Sequence, residues 1–77
     1  MQCPICANPA AKDAAPTTDD YSRFDCPSPT CGLFEMDRTA VAVAAHKTPE
    51  ARLRAMERAQ REAQPGQLPR IKEGMLL

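Results

Sequence analysis

The four cysteines of this chain form two close pairs, Cys3-Pro4-Ile5-Cys6 and Cys26-Pro27-Ser28-Pro29-Thr30-Cys31, and there are no others. Two cysteines separated by a tight turn can turn both sulfurs toward one ion. Two such turns supply a complete tetrahedral set of thiolates. The pattern constrains the fold because the chain has only 77 residues, with Tyr21, Phe24 and Phe34 as its only aromatics. A chain this short buries a modest core and commonly needs a metal, a disulfide or a partner to fold. Many of its other apolar residues are alanines, each of which buries little area.

Cys3, Cys6, Cys26 and Cys31 are therefore read as ligands of one structural Zn2+ ion. A proline inside each loop stiffens it. Gly32, directly after the last cysteine, can supply a positive φ or let the backbone approach sulfur closely. Four thiolates fill the tetrahedron, so no position is left for water or substrate. Three other readings use the same cysteines. Disulfides need an oxidising compartment. A thioredoxin-like Cys-x-x-Cys belongs after a strand in a βαβ unit and leaves the second pair unexplained. A rubredoxin-like iron site has the same ligands but goes with an aromatic-rich core.

The two knuckles, with Gly32-Leu33-Phe34-Glu35-Met36 after the second, make the chain resemble the four-cysteine zinc ribbons. The resemblance covers about half of the chain. It implies a small α+β fold: a zinc-stabilised β-hairpin in a zinc-ribbon module over residues 1–37, followed by one or more helices. The second loop has four residues between its cysteines where ribbons usually have two. Ala7 stands where a glycine often follows the first knuckle. Proteins with such ribbons serve in transcription, replication and the ribosome, so the resemblance implies no single task.

The hairpin strands are expected at Tyr21–Asp25 and Leu33–Met36. Residues 7–20, rich in Pro, Asp and Thr, read as loop with at most a weak strand. Residues 38–66 form the helical segment. Within it, residues 38–47 are ambiguous between helix and strand, and Asp37 as N-cap favours helix. Thr48-Pro49-Glu50 combines an N-cap, proline in the first turn and an acid. A helix is expected from there to about Gln64, stopped by Pro65-Gly66. Its periodicity places Leu53, Met56, Gln60 and Ala63 on the inward side and Arg54, Arg58 and Arg61 on the other. Residues 67–77 form an apolar-ended tail that docks back or onto a partner.

The net charge is zero but unevenly spread. Residues 1–37 hold two basic and six acidic residues; residues 38–77 hold eight basic and four acidic. A nucleic acid would be drawn to the second half, not to the metal module. Arg52, Arg54, Arg58, Arg61 and Tyr21 are the candidate contacts to a partner or nucleic acid. The bland alternative is a solvated face laced by the pairs Glu50–Arg54, Glu57–Arg61 and Arg58–Glu62. Phe24 and Phe34 are expected in the core. His46 is expected near a helix C-terminus rather than on the metal.

Nothing resembles a secretory signal or a membrane span, so a cytoplasmic protein is expected. There is no catalytic constellation and no Gly-rich phosphate loop. The sequence thus predicts a non-enzymatic, zinc-binding interaction module: a protein–protein accessory or regulatory factor of bacterial or phage type, with a homodimer as one form of partnership. The alternative is nucleic-acid binding through the basic helix.

Overall fold

A computed structural model describes residues 2–14 and 21–76. Residues 15–20 of the expected loop and Leu77 of the tail lie outside the described residues. Three strands, β1 (Lys12–Ala14), β2 (Tyr21–Cys26) and β3 (Gly32–Asp37), precede two helices, α1 (Arg38–Ala44) and α2 (Pro49–Glu62). The short strand β4 (Arg70–Ile71) and a 3-10 turn (Glu73–Leu76) complete the chain. The result is a small α+β fold with one four-stranded sheet in the order β1-β2-β3-β4.

The second cysteine loop closes the β2–β3 hairpin. Cys26 pairs with Gly32, so Phe24 stands opposite Phe34 and Arg23 opposite Glu35. Side chains alternate across a sheet. Phe24, Phe34 and Met36 consequently share the buried face, and the two phenyl rings meet at 5.5 Å between centroids. The expected strand limits are each extended by one residue at the ends nearest the cysteines, and β3 also reaches Asp37.

Asp37 ends β3 and caps α1, its carboxylate accepting from the Thr39 amide at 3.0 Å. This resolves the ambiguous 38–47 stretch as a seven-residue helix followed by a turn. Thr48 caps α2 as its sequence implies, accepting from Ala51 N at 3.2 Å. The helix closes two residues before the expected Gln64. Gly66 then turns the chain with φ 84°.

The inward stripe of α2 differs from the expected one. Ala55, Met56 and Ala59 are buried, whereas Leu53 is 37% exposed and Gln60 is also exposed. The inward arc is thus centred on small residues. Ala40 and Ala44 of α1 are likewise fully buried. Small side chains let helices approach closely, and this packing replaces the bulk that a larger apolar set would supply. Leu53 is displaced outward because the arc is set by the alanines, not by the largest apolar residue.

The tail docks back onto its own chain. β4 joins β3 in parallel, with Ile71 beside Met36. Ile71 and Leu76 are buried in the same core as Phe34 and Met56. A parallel edge strand contributed by the last residues is not part of the hairpin-plus-helix expectation. It makes residues 70–76 an integral layer of the domain. No described helix is long and apolar enough to cross a membrane.

Candidate metal centre

All four cysteines converge. Their sulfurs lie within 4.8 Å of one another, and Cys6 Sγ and Cys26 Sγ stand 3.5 Å apart. A tetrahedron with metal–sulfur bonds of about 2.3 Å has sulfur–sulfur edges of roughly 3.8 Å. The spacing therefore matches the donor set of one metal ion, and these four residues could hold it. Cys3, Cys26 and Cys31 are buried, and Cys6 is half-buried.

Each knuckle is built by its own backbone. In the first, the Ala7 amide donates to the Cys3 carbonyl and the Cys3 amide donates to the Asn8 carbonyl, both at 2.9 Å. Ile5, between the two cysteines, is fully buried and pins the loop into the core. In the second, the amides of Cys31 and Gly32 both donate to the Ser28 carbonyl, at 3.2 and 3.1 Å. Four residues between the cysteines are thus accommodated by a turn on Ser28. Gly32 adopts φ 65°, and Ala7 adopts φ 64° at the corresponding place in the first knuckle.

The thiols are electrostatically differentiated. Burial pushes Cys6 up, but the Asn8 amide and the neighbouring sulfurs outweigh it and hold the thiol down at about 7. Burial pushes Cys26 up to about 11, against the opposing pull of the Ser28 amide. Cys31 is raised still further, again chiefly by burial. Backbone amides aimed at Cys6 and Cys26 sulfur are the donors a metal-bound thiolate needs as a supporting shell.

His46 is exposed in the turn after α1, outside the four-cysteine cluster. The proposed contact residues are not one surface. Arg54, Arg58 and Arg61 are exposed on α2. Arg52 is half-buried, and its buried Nε has no hydrogen-bond partner among the described residues. Tyr21 is covered by Arg70, whose Cζ lies 4.2 Å from the ring centroid. Of the three expected helix pairs, Arg58–Glu62 forms at 3.2 Å, and no ion pair joins Glu50 to Arg54 or Glu57 to Arg61.

Two features of the fold carry no signal in the sequence. Gln60 of α2 donates from Nε2 to the Thr30 carbonyl at 3.0 Å, tying the helix to the second knuckle. Glu35, a nearly buried carboxylate, is gripped from both sides by Arg23 at 3.4 Å and Arg70 at 3.2 Å. The hairpin register alone would have placed Arg23 opposite Glu35. No local signal could have brought Arg70 there.

Comparison of the chain with protein-family models, curated proteins and solved structures returns no match.

Proposed function

We propose that this chain is a zinc-ribbon-like, non-enzymatic interaction module in which one Zn2+ on Cys3, Cys6, Cys26 and Cys31 holds the fold. The convergence of four sulfurs within 4.8 Å carries the reading. Thiolates are soft donors, and a four-sulfur tetrahedral set suits zinc. A closed set of four leaves no coordination position for activating water, so the ion's role is structural.

The partner is a protein. The outward side of α2 presents Arg54, Arg58 and Arg61 among Glu50, Glu57 and Glu62, all exposed, with Leu53 beside them. A charge-balanced surface flanking an apolar residue suits a protein rim better than a phosphate backbone, which draws unbalanced positive charge. Binding of nucleic acid by the same helix is the second reading, favoured by Arg54 and Arg61, which make no ion pair among the described residues. A pull-down from a cell extract with metal content measured on the same sample tests the assignment. One zinc per chain and capture of a protein that Leu53→Glu abolishes is expected. A shift with DNA or RNA at low salt that falls steeply with added salt would instead select the nucleic-acid reading.

A further inference from the structure

Beyond the metal centre, a cleft of about 410 Å³ opens between the last turn of α2, the turn at Gly66 and strand β4. Arg23, Glu35 and Arg70 line it, occupying register-matched positions on three adjacent strands. We propose that this cleft binds a small organic oxyanion, a carboxylate or phosphate group on a body of metabolite size, seated on Arg23 and Arg70.

The geometry carries the proposal. Each oxygen of Glu35 is taken by one guanidinium, Oε2 by Arg23 and Oε1 by Arg70. A guanidinium has five N–H donors in a planar fork. Each guanidinium reaches Glu35 through its Nη2. Glu35 is 6% exposed in its side chain, against 23% for Arg23 and 45% for Arg70. The carboxylate is thus sunk beneath the two cations and orients them without covering them. The Tyr21 ring holds Arg70 from another side. Arg23 Nε, buried, has no hydrogen-bond partner among the described residues.

Charge and shape agree. Lys72 adds a third cation to the lining, while the other lining carboxylate, Glu62, is paired with Arg58. Among the described lining residues, three cations therefore stand with two carboxylates, both of them already paired. The planar fork of a guanidinium matches the oxygens of a carboxylate or phosphate. Ala59, Ala63, Leu68 and Met75 supply an apolar wall for the rest of the ligand. The volume lies in the range of small-molecule sites.

The test uses the full, metal-loaded chain labelled with 15N. Inorganic phosphate, acetate and phenyl phosphate are titrated separately while the Nε–H signals of the arginines and the amides of Gly66 and Gln67 are followed. Saturable shifts confined to Arg23, Arg70 and the Gly66 turn are expected. Tighter binding of phenyl phosphate than of inorganic phosphate would show that the apolar wall contributes. Preference for acetate over phosphate would assign the carboxylate source. Arg70→Gln should weaken binding by about tenfold or more, and Arg54→Gln should leave it unchanged. Lys72→Gln, at an exposed position, gives a second weakened variant if Arg70→Gln does not fold. Shifts that do not saturate with any of the three anions, or that spread equally over Arg54, Arg58 and Arg61, would overturn the proposal.

Discussion

Ala7 and Gly32 hold equivalent places in the two cysteine loops, each directly after the second cysteine of its pair, with φ of 64° and 65°. The left-handed conformation costs an L-residue roughly 1–2 kcal/mol and glycine almost nothing. The first knuckle therefore carries strain that the second avoids. Ala7→Gly removes it, less about 0.4–1 kcal/mol for the greater freedom of glycine in the unfolded chain. A net gain between zero and about 1.6 kcal/mol is expected. Gly32→Ala should lose a similar amount, and purely for conformational reasons, since a Cβ there meets nothing within 4 Å. Thermal unfolding of the metal-loaded variants checks both signs. A destabilised Ala7→Gly would show that the loop is not held by its backbone.

Removing one thiol should be far more damaging. Serine is a poor, protonated substitute for thiolate, and structural zinc contributes on the order of 10–16 kcal/mol in small zinc-dependent peptides. That exceeds the whole stability of a domain of this size. Cys3→Ser and Cys31→Ser are each expected to lose the metal and the cooperative unfolding transition. Native mass spectrometry with circular dichroism reads both properties. One zinc per chain at unchanged stability in both variants would end the assignment.

The helix contributes by contact rather than by bulk. Ala59 is buried, so Ala59→Leu overpacks the interface and should cost about 1–3 kcal/mol. Leu53 is 37% exposed, so Leu53→Ala should cost less, about 0.5–1 kcal/mol. Gln60→Ala removes the side-chain bond to Thr30 and should cost about 1 kcal/mol. Because Thr30 adjoins Cys31, the same change should quicken zinc transfer to a chelator. Urea unfolding and chelator kinetics separate these effects. Equal losses from Leu53→Ala and Ala59→Leu would mean that the inward stripe is misplaced.

Where a feature was set by local chemistry, it was legible. Thr48 and Pro49 mark the start of α2, its end falls two residues short of the expected Gln64, and Asp37 caps α1. The four cysteines were legible because their spacing encodes a turn. The convergence of Arg70 on Glu35 was not, because a two-residue parallel strand carries no periodicity and its partner lies 35 positions away. Leu53 misled because hydrophobicity was read without size. Where the helix must approach closely, Ala55 and Ala59 take the inward positions and the leucine is turned out.

Loading the centre should release a countable number of protons. In the assembled thiol cluster, Cys6 sits at about 7, below the ordinary 9.0, while Cys26 is raised to about 11 and Cys31 is raised as well. A thiol with a depressed value has already lost its proton above that value. The raised ones keep theirs until the metal displaces them. If the cluster assembles before the metal, zinc uptake between pH 7 and 9 displaces the protons of Cys26 and Cys31 and little from Cys6, so fewer than four are released. If the chain is unfolded before loading, its thiols start near their ordinary value, and toward the lower end of that window the release approaches four. Either way, protons compete with zinc, so the bound state is present at the upper end of the window and is lost as pH falls. Calorimetric titration in buffers of different ionisation heat counts the protons directly. An affinity that does not rise with pH across this window would contradict thiolate ligation by these four residues.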